Sequence, residues 1–346
     1  MKIVVDDKIP YIQGPLATLA DTVLAKAGQD IRPDDVRDAD VLIVRTRTQC
    51  DRDLLDGSQV QLVLTATIGY DHLDTQYLNV AGIEWHNCPG CNATSVAQYV
   101  RNSLLLLQKE RGLSLARCTL GIIGVGHVGT AVFEAIRPLM GSILLNDPPR
   151  QERCDVLPDG AEDGWQSVDT LLERCDIITL HTPLTSSGLH HTLHLADAAF
   201  FNRMKPGSVF INASRGEVVD ESALEQALDR GRLSAAVIDT WEHEPAINRS
   251  LLSKVYIGTP HIAGYSADGK ANATRMVLTR LCAFLGRAMS FDIVPPPLPP
   301  GAITASDATE QAIQLYDPRK DSALLKAHPD QFEALRGSYP LRREKA

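Results

Sequence analysis

No apolar run in the 346-residue sequence approaches the ~20 residues needed to cross a bilayer. The N-terminus, MKIVVDD, enters a strand-like run at once, with no apolar leader before it, so neither a signal region nor a membrane anchor is expected. Basic charge is in deficit: 34 Lys and Arg stand against 43 Asp and Glu, a net charge of −9. That balance excludes a protein that holds nucleic acid or an anionic membrane by bulk charge. An anionic substrate therefore has to be gathered by local basic groups. Cysteine is sparse and unpaired in pattern; the seven are scattered and odd in number, as in reduced, cytoplasmic proteins without a disulfide framework. His190, His191 and His194 could set two imidazoles one helical turn apart, but no third ligand is evident, so no metal is expected.

The rest is ordinary globular protein, 44% apolar and 22% charged, and long enough for two domains and a small third. Its organising stretch is Leu120–Gly129, LGIIGVGHVG. An apolar run leads into Gly124-x-Gly126-x-x-Gly129, and an amphipathic run from Thr130 to Met140 follows. Strand, tight turn and helix in that order need glycine for the turn, for the approach of a pyrophosphate, and for helix–strand contact. The free N–H groups and positive dipole end of the new helix face such phosphates, with His127 and Val128 of the loop among the residues expected to bind the cofactor. A second apolar run, Ser142–Asn146, ends in Asp147, where a carboxylate would accept the hydroxyls of an adenosine ribose. Asp147 would also repel a 2′-phosphate, so NAD is expected over NADP, with Arg150 as the nearby group that could reverse the preference.

Short apolar runs at Lys2–Val5, Val41–Val44, Leu62–Thr65 and Ile83–His86, with a helix near Pro15–Lys26, make a first α/β unit without a glycine fingerprint. Ala93–Gln108 reads as a long helix with Val96, Val100, Leu104 and Leu107 on one stripe. Beyond Asp147, helices at Val168–Leu172, Leu195–Arg203 and Ser222–Arg230 alternate with strands at Ile177–Leu180, Ser208–Asn212 and Ala235–Asp239. Ser222-x-x-Glu225 offers a capping box. Such alternation means parallel sheets covered on both faces. Ala271–Leu285 reads as a further helix. The run Val294–Gly301, with five prolines, reads as a stiff linker. The expected class is thus α/β, with two Rossmann-like parallel-sheet domains and a small C-terminal appendage. Residues 1–94 and 262–292 are assigned to substrate, 95–261 to the dinucleotide, and 293–346 to linker and C-terminal segment.

Three segments fall where parallel strands should end: Ile211–Gly216, Asp239–Pro245 and Thr259–Tyr265. Together they supply Arg215, carboxylates and His261. Removing hydride from a 2-hydroxy acid needs a guanidinium to grip the carboxylate, an imidazole to take the hydroxyl proton, and a carboxylate to orient that imidazole. By spacing, Glu242 and Glu244 serve equally well. Just after Val41–Val44, Arg45-Thr46-Arg47-Thr48 offers two guanidiniums and two hydroxyls for a substrate phosphate, with Arg45 as charge partner. On a continuing strand these would alternate between faces, so not all could reach one ligand. Cys88-Pro-Gly-Cys91 has thioredoxin spacing but lies in a loop before a helix. Asp71-His72-x-x-Asp74 looks like a triad fragment without a nucleophile, and reads better as a turn.

The glycine loop, Asn212-x-x-Arg215-Gly216, the acid before Pro245, and Pro260-His261-x-Ala263 together resemble the D-2-hydroxyacid dehydrogenases. One branch of that family shares longer text, including VVDDKIPY, PGCNATSVAQYV and IGTPHIAGYS. The resemblance implies that Arg215 binds the carboxylate, that Glu244 partners His261, and that His261 is the acid/base. It implies that Asp147 binds ribose, and that Thr182, Ala213, Ser214, Arg215, Asp239 and Gly264 line the nicotinamide half. Thr46, Thr67 and Tyr265 would touch substrate. It further implies NAD as cofactor and a small phosphorylated 2-hydroxy acid as substrate, 3-phosphoglycerate being one candidate; some NAD-sensing co-repressors share the fold. The family's C-terminal portion mediates dimerisation, so a homodimer is expected, with the segment ending at Ala346 read as a shortened version of that portion.

Overall fold

Short runs of β-branched and leucine residues bounded by turns give parallel strands buried on both faces. The computed structural model describes residues 1–345. In one sheet, β1 (Lys2–Asp6), β2 (Thr22–Lys26), β3 (Val41–Val44), β4 (Leu62–Thr65) and β5 (Glu84–His86) lie in the order β2-β1-β3-β4-β5. Val44 is in register with Thr65, so β3 and β4 end side by side. The period-2 alternation of side chains separates two cores. Ile3, Val5, Val41, Ile43, Leu62 and Leu64 join one apolar cluster with the helix Ala267–Phe284, while Val4, Leu42, Val44 and Val63 join the other. Each such buried side chain contributes about 1.5–3 kcal/mol.

The second sheet contains β6 (Thr119–Ile123), β7 (Ser142–Asn146), β8 (Ile177–Leu180), β9 (Ser208–Asn212), β10 (Leu233–Ile238) and β11 (Ile257–Gly258). Their order is β11-β10-β9-β8-β6-β7, all parallel. Strand order reverses at β6, which makes the crevice beyond β6 and β8 the switch point where such sheets take ligands. The helices Ala93–Arg111 and His127–Ile136 cover one face and Val168–Arg174, Ala198–Arg203 and Glu221–Asp229 the other. The chain divides into a unit of residues 1–92 with 266–297 and a unit of residues 93–265 with 298–346. The C-terminal residues therefore belong to the second unit rather than standing apart. Their helices Ala308–Leu315 and Pro318–Ala327 lend Ala312 and Ile313 to one face's core and Leu325 to the other's.

Three local expectations are corrected. The helix read over Pro15–Lys26 is a helix at Gln13–Leu19 followed by β2, an edge strand whose partly exposed residues carry little apolar signal. The helix Glu221–Asp229 is capped by Asp220, whose carboxylate accepts the Ala223 N–H at 3.0 Å, so Ser222 lies inside it and forms no capping box. No helix runs through residues 190–194, and His190 and His194 pair with Glu152 and Glu242 instead of presenting two ligands.

Candidate active site

The glycine loop shows why each glycine is there. Gly124 ends β6 at φ +87°, and a Cβ on it would lie 2.7 Å from the His181 carbonyl carbon. A Cβ on Gly129 would lie 2.0 Å from the Gly124 oxygen, so helix and loop touch through bare backbone. Gly126 is different. It is the N-cap of His127–Ile136, has an ordinary φ of −74°, and a Cβ on it would meet no atom within 4 Å. Packing within the chain explains two of the glycines; the third leaves room for a ligand at the helix N-terminus.

The surroundings fit a dinucleotide. Asp147 lies at the end of β7, and its carboxylate accepts the Val125 N–H at 2.8 Å and the Arg150 N–H at 3.1 Å. The acid is thereby anchored beside the loop. Arg150 is held by the Val125 carbonyl at 2.6 Å and by Asp155 at 3.3 Å, and stacks over Trp165. These contacts restrain it from swinging toward a 2′-phosphate. Beyond β8, His181 Nδ1 and Thr182 Oγ1 are buried without a hydrogen-bond partner among the described residues. Burial drives the His181 pKa down to about 3, so its ring is neutral. Two orphaned polar atoms at the switch point are costly in a closed core and reasonable in a ligand's wall.

Asn212 builds the turn after β9. Its side-chain oxygen accepts from Ser214 N at 3.1 Å and Oγ at 2.7 Å, and its amide donates to the Arg215 carbonyl at 3.1 Å. A Cβ on Gly216 would lie 1.9 Å from the Trp241 carbonyl oxygen, so this turn packs directly on the segment that carries Glu244. Arg215 is half-buried and donates to the Ser214 carbonyl at 2.8 Å; among the described residues no carboxylate pairs with it. Ala213 is half-buried on the same turn.

His261 follows β11 with φ +56°, a conformation rare outside glycine and held here by its surroundings. Its N–H is shared between the carbonyls of Asp239 and Thr259 at 2.8 and 3.0 Å. The buried Asp239 carboxylate accepts the N–H groups of Ile262 at 2.8 Å and Ala263 at 2.9 Å and the Thr259 hydroxyl at 2.6 Å. Burial raises its pKa against these donors and the nearby His261. Both Asp239 oxygens thus brace the loop, a positioning role the sequence does not disclose. Gly264 and Tyr265 continue the loop half-buried, and the Tyr265 ring meets Tyr339 edge-on, 6.2 Å between centroids.

The spacing ambiguity resolves in favour of Glu244, whose Oε2 lies 2.8 Å from His261 Nδ1 while its Oε1 accepts the Trp241 N–H at 2.9 Å. Glu242 turns away to His194 at 2.7 Å. Burial works to raise Glu244, but His261, the Trp241 N–H and Arg336 outweigh it and hold the carboxyl below its ordinary range. An ionised carboxylate can only accept, so Nδ1 carries the imidazole proton and Nε2 of the neutral ring is left bare. Sequence reasoning missed two residues here. Arg336 Nη1 stands 3.6 Å from Glu244 Oε2. Arg342 is buried and donates to the carbonyls of Ile262, Ala263 and Tyr265 at 3.0, 2.6 and 2.8 Å. Both sit in a polar tail with no periodicity to point at the site.

In the first unit β3 stops at Val44, so Arg45–Thr48 is a turn and the alternation argument does not apply. Thr46 is exposed there, and Thr67 is half-buried beyond the neighbouring β4. Arg45 closes on the fully buried Asp6, Nε at 3.1 Å and Nη2 at 3.3 Å, so much of its charge is already matched. Thr48 is buried and donates to the Gly28 carbonyl at 2.8 Å. His72 is a buried partner of Thr65 at 3.0 Å rather than part of a triad. Cys88 donates to the carbonyls of Thr65 and Ala273, and burial pushes its thiol far up, which leaves little thiolate for redox exchange.

Fold and site together define an NAD-dependent dehydrogenase. A family profile described as "D-isomer specific 2-hydroxyacid dehydrogenase, NAD binding domain" matches residues 92–263. The chain belongs to the D-isomer-specific 2-hydroxyacid dehydrogenase family. Within it, the chain is 52% identical to an erythronate-4-phosphate dehydrogenase of Bacteroides fragilis, covering 99% of this chain and 97% of the relative. It is 41% identical to that of Cronobacter sakazakii, covering 99% and 92%. In fold it is similar to the crystal structure of D-lactate dehydrogenase from Aquifex aeolicus complexed with NAD and lactic acid. That match has a TM-score of 0.62 at 24% identity and covers 83% of this chain and 96% of the other. Among the described residues no helix is long and apolar enough to cross a membrane.

Proposed function

We propose that this chain oxidises 4-phospho-D-erythronate at C2, with NAD, to 2-oxo-3-hydroxy-4-phosphobutanoate, a step toward pyridoxal 5′-phosphate. The observation that carries the reading is the Glu244–His261 pair, with its bare Nε2, on strand-end segments one of which packs against the turn that carries Arg215. Identities of 52% and 41% to erythronate-4-phosphate dehydrogenases over nearly the whole chain support the choice of acid.

In this reading Arg215 grips the substrate carboxylate in two prongs. His261 Nε2 takes the C2 hydroxyl proton, and Glu244 stabilises the imidazolium that forms. NAD, when bound, supplies the acceptor for the C2 hydride. Gly124, Gly126, His127, Val128 and Gly129 receive its phosphates, Asp147 its ribose, and Thr182, Ala213, Ser214 and Gly264 its nicotinamide half. The Asp239 carboxylate serves the same half through the loop it braces. Thr46 and Thr67 donate to the substrate phosphate, and Tyr265 contacts the substrate near its reacting end. The same reading makes the protein a cytoplasmic homodimer, which sedimentation of the purified chain and cell fractionation test.

The deciding experiment measures NADH formation with 4-phosphoerythronate and 3-phosphoglycerate side by side. Preference for 4-phosphoerythronate by at least tenfold in kcat/KM is the expected outcome. Preference for 3-phosphoglycerate would reassign the substrate, and NAD binding without turnover of either would make the chain a sensor.

A further inference from the structure

The short helix Phe332–Gly337 is fixed by Phe332, which is buried in a core cluster of the second unit. Arg336, one turn further on, faces the same way. Its Nη1 lies 3.6 Å from Glu244 Oε2, the oxygen that also meets His261 Nδ1. Its Nε is buried without a hydrogen-bond partner among the described residues. A side chain kept for packing alone would fill this space better without an orphaned donor. The guanidinium needs another reason to be there.

Charge supplies one. The other titratable groups around this cluster are Glu221, Asp239, Tyr265 and Glu333, with Glu242 and His243 beside Glu221, so that carboxylates predominate. Acidic neighbours favour the charged form of an imidazole, and Arg336 is the cation that meets Glu244 on its far side. A base that removes a hydroxyl proton has to be free of one. Burial disfavours the Arg336 cation, yet Tyr265, Glu244 and Glu333 hold it firmly charged.

We propose that Arg336 is a positioning residue of the oxidation: its guanidinium holds Glu244 against His261 and biases that pair toward the proton-free imidazole. This rests on the reading of His261 as the base. Arg336 touches neither substrate nor cofactor in this role; it acts through Glu244.

The test compares the wild-type chain with Arg336→Met and Arg336→Lys. Two readouts are taken: the pH profile of kcat/KM, and an NMR titration of the His261 imidazole without substrate. In Arg336→Met the acid limb and the NMR midpoint should both rise, by on the order of one pH unit. KM at the alkaline plateau should hold, and Arg336→Lys should restore most of the shift. Should the methionine variant fail to fold, Arg336→Gln carries the same expectation. Unmoved limb and midpoint overturn the proposal, as does a raised KM with an unmoved limb, which would make Arg336 a substrate ligand. Because the NMR arm needs no substrate, failure to oxidise 4-phosphoerythronate would sink the functional reading without deciding this one.

Discussion

Glu244→Gln keeps the volume of the side chain and deletes its charge. Two donors converge on the native carboxylate, Trp241 N–H on Oε1 at 2.9 Å and His261 Nδ1 on Oε2 at 2.8 Å. A carboxylate accepts on both oxygens, whereas an amide accepts on one side and donates from the other. The glutamine must therefore turn its NH2 against one of the two donors. Turned toward His261, it forces the proton onto Nε2 and blocks the base. Turned toward Trp241, it leaves that N–H unpaired, at a cost of about 1–3 kcal/mol. Loss of the charge-assisted bond itself is worth roughly 1.5–3 kcal/mol. At about 1.4 kcal/mol per decade, kcat/KM should fall about 10- to 150-fold. The acid limb should move to lower pH, by roughly 1–2 units, because no anion remains to hold the proton on the pair. Stability gives an independent sign. Glu244 is depressed below its ordinary 4.5, so its pairing stabilises the fold above that pH and is lost as pH falls through the depressed value. Glu244→Gln should flatten that part of the Tm–pH curve. Initial rates of NADH formation across the acid and neutral range are the assay. A rate within a few-fold of wild type with an unmoved acid limb would refute the reasoning.

Arg215→Lys should lower kcat/KM at least ~tenfold while NAD still binds, since one ammonium cannot reproduce a two-pronged grip; near-normal kinetics would remove Arg215 from substrate binding. Gly126→Ala should leave Tm unchanged, because its Cβ meets nothing, yet weaken NAD binding by calorimetry, whereas Gly129→Ala should lower both. Undiminished NAD affinity in Gly126→Ala would mean that the pyrophosphate does not approach there. Arg45→Ala should cost up to about 3 kcal/mol in urea unfolding by stranding the buried Asp6. Thr46→Ala should instead raise KM for the phosphorylated acid and leave weak activity on erythronate alone; equal losses on both substrates would count against a phosphate contact.

Strands such as Ile177–Leu180 and Ser208–Asn212 were legible because burial on both faces writes them as unbroken apolar runs between turn residues. The edge strand Thr22–Lys26 was not, because partial exposure lets lysine and threonine into it and no glycine or proline separates it from the preceding helix. The glycine loop was legible because steric demands at Gly124 and Gly129 admit no other residue. Choosing between Glu242 and Glu244 was beyond spacing, since the decision lies in where the Trp241 N–H points. Arg45 reads as a free cation until the fold brings Asp6, thirty-nine residues away, against it. Arg336 and Arg342 are least legible of all, being single side chains that reach the site from a distant stretch without pattern.

The carbonyls of Ile262, Ala263 and Tyr265 are all met by one guanidinium, that of Arg342, which also stacks 3.9 Å over the Tyr316 ring. A chain made from its N-terminus therefore has its glycine loop, both sheets and His261 itself in hand well before the turn around His261 can be secured. Translation must pass residue 342 before that turn acquires its last donors. A product that stops between residues 337 and 342 would keep the core residues Ala312, Ile313, Leu325 and Phe332, while His261 sits on a loop with unmatched carbonyls. The loop that carries His261 is thus among the last parts of the unit to be fully braced as the chain is made.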